Sequence, residues 1–379
     1  MILAIDIGTS STRTALFTMG GERLVETTAQ KGNPLITTAG GGAELSPLIL
    51  ERTLKQCLRK TLAHMDGKVS AVGISALWHS FLGVGETNQP LTPIYTWADS
   101  RCREDAAALR GELCEKEIHA RTGCMLRASF WPAKFAWLQR THPKLLKRVR
   151  YWMSPAEWLQ RQLVGNANCS LSMASGTGFF NLKTRSWDTG LLNQFAIDPG
   201  QFNPISDHPI CGRVEEFPVL SGVPWFAAIG DGAASNLGCG ATQPGLAAIN
   251  VGTSAALRLM KTGARPKAPF GLFCYRVDPS RYLVGGASSN AGNLRAWCLR
   301  TLQLKPAQLE AQLAARPLPV HGLSVLPFWS AERAPSWNED ATGSIIGISH
   351  HTTPLDLFQA ITEAGLYRIA RIADLVLKT

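Results

Sequence analysis

The chain has 379 residues, of which 45% are apolar and 17% charged, and Lys plus Arg outnumber Asp plus Glu by 38 to 28. At about 100 to 200 residues per domain this length makes two or three domains of ordinary globular composition, which excludes collagen-like, peptide-hormone and mainly disordered classes. No apolar run reaches the ~18 to 20 residues of a membrane span and the start carries no basic leader region, so neither a membrane protein nor a secretory precursor is expected.

In chain order, residues 2–7 read as a strand, Gly8-Thr9-Ser10-Ser11-Thr12 as a turn, and 13–17 and 23–29 as the next two strands of a meander. Gly40-Gly41-Gly42 marks a loop, Leu48, Leu54, Leu58 and Leu62 have helical spacing, and 69–74 reads as a strand. The basic cluster Lys144, Lys147, Arg148 and Arg150 lacks interleaved aromatics. It is read as a solvated helix face of a protein that handles anionic substrates, not as a nucleic-acid surface. Trp152, Trp158, Leu159 and Leu163 predict a helix, 198–213 a loop and 225–229 a strand. Toward the end, Leu366, Ile369, Ala370, Ile372, Ala373, Leu375 and Val376 predict a core-facing helix. The nine cysteines, none spaced as Cys-x-x-Cys, are read as reduced core thiols of a cytoplasmic protein. Mixed strands and helices make α/β the expected class.

The chain also repeats itself. Ala4-Ile5-Asp6-Ile7-Gly8-Thr9-Ser10 returns as Ala248-Ile249-Asn250-Val251-Gly252-Thr253-Ser254, with five of seven positions identical. A strand-like stretch, 255–260, follows the second copy as 13–17 follows the first. A separation of 244 residues is too long for a solenoid and predicts two similar domains, at 1–240 and 241–379.

A strand ending in Gly-Thr-Ser offers backbone N–H groups and hydroxyls to phosphate oxygens, and two such turns, one per domain, would grip a polyphosphate from both sides. Asp6, near the end of an apolar strand, is poorly explained as core and suits a ligand of Mg-bound water. In Ile229-Gly230-Asp231-Gly232-Ala233-Ala234, Asp231 reads equally as a helix cap and as the general base for a hydroxyl attacking a phosphoryl group. These two readings are compatible. No phosphate loop ending in Gly-Lys-Ser/Thr, no Gly-x-Gly-x-x-Gly, no Gly-x-Ser-x-Gly and no His-Glu-x-x-His occurs. His350 and His351 are adjacent, so their side chains diverge and a metal role is not assigned.

Taken in order, these motifs resemble the FGGY family of carbohydrate kinases, within the larger group that includes hexokinase, actin and heat-shock chaperones. Asp6-Ile7-Gly8-Thr9-Ser10-Ser11-Thr12-Arg13 resembles the family's first phosphate motif, Gly230-Asp231-Gly232-Ala233-Ala234 its catalytic segment and Asn250-Val251-Gly252-Thr253-Ser254 the second phosphate motif. Gly285-Gly286-Ala287 through Gly292 is similar to the glycine stretch near the nucleotide phosphates, and 332–347 to the Pro-x-Trp-x-x-x-Ala-x-Gly block. Trp78-His79-Ser80 and Trp97-Ala98-Asp99-Ser100-Arg101 are similar to sugar-side motifs of xylulokinase- and gluconokinase-like members, and 172–181 is closer to the gluconokinase-like ones.

The resemblance implies a two-domain actin/hexokinase-like (ribonuclease H-like) fold with ATP and sugar in the interdomain cleft. Asp231 would be the base and Asp6 would place Mg2+. Gly8, Thr9, Ser10, Ser11, Arg13, Gly252, Thr253 and Gly292 would hold ATP, and Trp78, His79, Asp99, Arg101 and Asp231 the sugar or sugar acid. Gluconate is the leading acceptor and a ketose such as xylulose the alternative, with neither nucleic acid nor membrane as a partner. Family members continue into a Gly-Gly-rich adenosine segment that this sequence does not supply. The second domain is therefore expected to be incomplete, with weakened adenine binding. That leaves room for a non-catalytic sugar-binding remnant, a homo-oligomer, or one half of a split kinase completed by a C-terminal fragment.

Overall fold

A computed structural model describes residues 1–243, 245–316 and 321–379. The chain divides into two units. The first comprises Met1–Gly238, Thr262–Pro266 and Cys274–Tyr282, and the second Cys239–Lys261, Lys267–Phe273 and Leu283–Thr379.

The first unit is built on a five-stranded sheet in the order Ile229–Gly230, Ala71–Ala76, Ile2–Ile7, Ser11–Phe17, Arg23–Gly32. The meander is antiparallel, and Ala71–Ala76 then adds to the other side of Ile2–Ile7 in parallel. Strand alternation sends Leu3, Ile5 and Ile7 to one face, where all three are buried. The helix Pro47–Ala63 lies on the second and third strands, started by Pro47 and a Ser46 side chain that accepts from Ile49 N–H. Its inner stripe is Leu50, Leu54, Cys57 and Leu58, whereas Leu48 is exposed, so the predicted spacing was shifted at its first position.

Trp152 is not helical as its spacing suggested. It lies in the strand Tyr151–Met153, which pairs with Leu82–Val84, because Ser154 and Pro155 start a new helix immediately after it. Ser154 accepts from Glu157 N–H and Glu157 accepts from Ser154 N–H, a reciprocal cap that fixes the boundary. Of the strand expected over 225–229, only Ile229–Gly230 forms. Trp225 instead exchanges both backbone hydrogen bonds with Ile210, at 2.8 and 2.9 Å. An aromatic core that includes Phe81, Trp131, Phe135, Trp152 and Phe179 fills the rest of the unit. Phe81 stacks on Phe135 at 5.3 Å, and Phe135 meets Trp152 edge-on at 4.9 Å.

In the second unit the strand Ala247–Val251 pairs antiparallel with the strand that begins at Ala255, in the register Val251 to Ala255 and Ala247 to Leu259. The helix Pro354–Leu377 is begun by Thr353, which accepts from Asp356 N–H, while Asp356 accepts from Thr353 N–H at 2.7 Å. It buries Phe358, Ile361, Gly365, Ile369, Ile372 and Val376, a stripe of helical period. Leu366 and Ala370, expected on that stripe, fall one residue outside it and are exposed. The helix Gly292–Thr301 adds Leu294 and Cys298 to the same core.

All nine cysteines are free thiols, but Cys114, Cys211 and Cys239 are exposed, so the reading of all nine as core residues is corrected. Burial raises the thiols of Cys102 and Cys298 to about 11 and keeps them protonated. The basic cluster is exposed, with only Lys144 inside the short helix Pro143–Leu146. Among the described residues no helix is long and apolar enough to cross a membrane.

Candidate active site

Strand Ala71–Ala76 delivers Trp78 and His79 just beyond its end. Trp78 is buried, and its Nε1–H donates to the Ser172 carbonyl at 3.0 Å. Ser172 Oγ in turn accepts the Gly230 N–H at 3.1 Å, so one serine ties the tryptophan to the segment that carries Asp231. The contact is closer still: a Cβ at residue 230 would lie 1.8 Å from the Trp78 ring, which only glycine permits. Asp231 follows at the head of the helix Asp231–Gly238, with its side chain exposed and Oδ1 accepting the Gly232 N–H at 2.7 Å.

His79 has φ 61°, a left-handed conformation that costs a non-glycine residue roughly 1 to 2 kcal/mol. Its Nδ1 lies 2.5 Å from the Gly176 carbonyl. A carbonyl only accepts, so Nδ1 carries a proton.

Asp99 is buried, and its oxygens accept from Ala43 N–H at 3.3 Å, Arg101 N–H at 3.2 Å and Arg101 Nε–H at 3.1 Å. Arg101 also pairs with Glu44 and stacks on the Trp137 ring at 4.6 Å. Burial alone would lower the Arg101 pKa, but its hydrogen bonds to Asp99 and Glu44 outweigh that and hold the guanidinium charged. This cluster orders the loop that carries Trp97, whose indole N–H donates to Thr9 Oγ1 at 3.0 Å.

Thr9 belongs to the first Gly-Thr-Ser turn, closed by Gly8 N–H donating to the Ser11 carbonyl at 2.9 Å. Asn33, not singled out from sequence, braces it by donating to the Gly8 carbonyl at 2.8 Å and accepting from Thr12 Oγ1 at 3.1 Å. Ser10 is exposed on the turn and Ser11 buried beneath it. Asp6, Arg13 and Ser75 are register partners on adjacent strands. Ser75 Oγ–H donates to Asp6 Oδ1 at 3.1 Å, and Arg13 Nη1 contacts Asp6 Oδ2 at 3.2 Å. Among the described residues no three His, Cys, Asp or Glu side chains converge as metal ligands. A single half-exposed carboxylate suits Mg2+, which keeps waters and takes substrate phosphates in place of a full set of protein ligands.

In the second unit the matching turn is closed by Gly252 N–H donating to the Ser254 carbonyl at 2.9 Å. Gly292 N–H donates to the Gly252 carbonyl at 2.9 Å and Asn293 N–H to the Thr253 carbonyl at 3.1 Å. A Cβ at 292 would lie 2.4 Å from the Gly252 oxygen, so glycine is required for this approach. The amide of Gly292 is thus engaged in bracing the turn, and Thr253, exposed at its tip, presents the hydroxyl. Gly285 and Gly286 are buried within the strand Arg281–Ser288.

Sequence reasoning also passed over Tyr275, Phe130 and Ser75. The first two pack on the His79 ring, with centroids 5.4 and 4.9 Å away. Only the strand-end position of Ser75, opposite Asp6, carried a usable signal.

Family comparison describes the two halves as the N-terminal domain of the FGGY family of carbohydrate kinases, matching residues 1–238, and its C-terminal domain, matching 247–378. The second match does not support the expectation that the second domain is incomplete. A gluconokinase of Bacillus subtilis is 28% identical over 387 residues, covering 97% of this chain and 75% of that protein. A xylulose kinase of Streptomyces rubiginosus is 28% identical, covering 100% of this chain and 76% of that protein. The crystal structure of a gluconate kinase from Lactobacillus acidophilus matches with a TM-score of 0.92 at 28% identity, covering 99% of this chain and 78% of that one.

Proposed function

The chain belongs to the FGGY family of carbohydrate kinases, and from that premise we propose that it transfers the terminal phosphoryl group of ATP to a hydroxyl of a sugar acid, gluconate first. The observation that supports this reading is the contact of Gly230, one residue before Asp231, with the Trp78 ring, next to His79 in the chain. An aromatic face and an imidazole suit a polyol, and a carboxylate next to them suits removal of its proton.

In this reading a hydroxyl of the acceptor gives its proton to the Asp231 carboxylate as its oxygen bonds to the terminal phosphorus. The bond from that phosphorus to the bridging oxygen breaks, and ADP leaves. Thr9 donates to phosphate oxygens from a turn braced by Asn33, and Thr253 sits on a turn of its own braced by Gly292. His79, with a proton fixed on Nδ1, is read as facing an acceptor hydroxyl, and Asp99 with Arg101 keeps the Trp97 loop in place. Mg2+, held through Asp6 and the phosphates, would supply charge neutralisation at the transferring group. A ketose acceptor is the second reading, supported by the equal identity, 28%, to the gluconokinase and the xylulose kinase.

Coupled measurement of ADP release with gluconate and with xylulose tests both readings. Asp231→Asn is expected to lower kcat by about three orders of magnitude with the acceptor KM little changed. Retention of kcat within tenfold would remove Asp231 as the base.

A further inference from the structure

The chain leaves the first unit at Gly238 and returns to it for Cys274–Tyr282, a segment that follows the second phosphate turn in sequence. At its start Tyr275 is buried, with its ring 4.9 Å from Trp78 and 5.4 Å from His79, inclined at 58° and 59°. The next residue locks this position. Arg276 N–H donates to Ser175 Oγ at 2.9 Å, and the fully buried guanidinium donates to the carbonyls of Leu182, Ala264 and Pro279. Ser175 adjoins Gly176, whose carbonyl accepts from His79 Nδ1. His79 is thus held in a strained left-handed conformation by a hydrogen bond on one ring nitrogen and by Phe130 and Tyr275 on its flanks.

We propose that Tyr275 is a positioning residue that sets the orientation of the His79 imidazole, so that the acceptor wall depends on a segment encoded in the C-terminal half of the sequence. Tyr275 acts on His79 through packing of its ring. The proposal rests on the reading of Trp78 and His79 as the acceptor wall.

The test compares Tyr275→Leu, Tyr275→Phe, His79→Ala and the double variant Tyr275→Leu/His79→Ala, each first checked by thermal melting. Tyr275→Leu is expected to raise the gluconate KM about tenfold while kcat changes less than about threefold, and Tyr275→Phe to restore most of that loss. In the His79→Ala background Tyr275→Leu is expected to add almost nothing, because its effect passes through the imidazole. Multiplying effects in the double variant, or a Phe variant as impaired as the Leu variant, would overturn the proposal. Proton NMR of the His79 ring, identified by its loss in His79→Ala, is the readout that does not need an acceptor. Its resonances should move in Tyr275→Leu and stay near their original place in Tyr275→Phe. If the wild-type chain binds no sugar, the acceptor reading fails, while an unmoved His79 signal in Tyr275→Leu would by itself refute the positioning role.

Discussion

The two copies of the seven-residue motif end in the same Gly-Thr-Ser turn, yet their apolar residues meet opposite fates. Ile5 and Ile7 are 2% and 1% exposed, whereas their counterparts Ile249 and Val251 are 55% and 60% exposed. The difference lies in the neighbours. Ile2–Ile7 is flanked on both sides, by Ser11–Phe17 and Ala71–Ala76, while Ala247–Val251 stands at an edge of its sheet and pairs with Ala255–Thr262. Local sequence therefore specifies the strand and its turn, and the tertiary surroundings decide how much energy each side chain returns. The copies differ chemically as well. Arg13 engages a carboxylate on Asp6, while Arg258 engages the amide of Asn250 at 3.0 Å.

The largest expected effect separates the copies by stability. Ile5→Ala should cost about 3 kcal/mol in denaturant unfolding, because a buried side chain leaves a cavity between two strands. Ile249→Ala should cost under about 1 kcal/mol, since about half of that side chain is already in water. Equal losses would mean that the edge strand is covered in solution, and would break the comparison.

A second pair of substitutions separates the copies by chemistry. Asp6→Asn gives the first copy the side chain of the second, and it should lower kcat by about two orders of magnitude and weaken the dependence on Mg2+. Folding should hardly change, because the ion pair with Arg13 is largely exposed and such pairs contribute little. Asn250→Asp should leave the Mg2+ dependence where it was. If the reciprocal change alters that dependence as much as Asp6→Asn does, the two turns share the metal role and Asp6 loses its special place.

The same contrast explains what could be read from the sequence. The two turns were legible because Gly, Thr and Ser act over three residues, and the strand-to-helix junction at Asp231 was legible because two glycines flank it. Tyr275 was not, since it reaches Trp78 across almost 200 positions and no local pattern marks a buried tyrosine as a neighbour of a particular histidine. Asn33 was missed for the same reason, being joined to Gly8 only through the fold. Trp152 was misread because an apolar period counts spacing but not caps, and the Ser154-Pro155 start overrides it. Leu366 shows the limit in the other direction: an apolar residue on a helix that buries a different stripe.

The smallest expected effect sets the units apart by the sign of their response to pH. In the first unit, burial raises the Glu157 pKa above its usual 4.5, despite hydrogen bonds from Ser154 and Asn203 that work against the shift. A raised folded-state pKa contributes stability that is full below 4.5 and is lost as pH rises through the folded value. In the second unit, Asp356 is held down at about 2 by its hydrogen bonds with Thr353 and Arg316. Its contribution is present above the ordinary value of 3.8 and disappears as pH falls toward 2. The Asp356 side chain is largely covered, at 13% exposed, and the effect of one such capping ion pair should be on the order of 1 kcal/mol. Urea unfolding monitored from pH 2 to pH 7 should therefore lose its acid-side slope at Asp356 in Asp356→Asn, and the rising-pH loss in Glu157→Gln. Identical pH profiles in the two variants would show that neither carboxyl governs its unit, and that the opposite signs come from other groups.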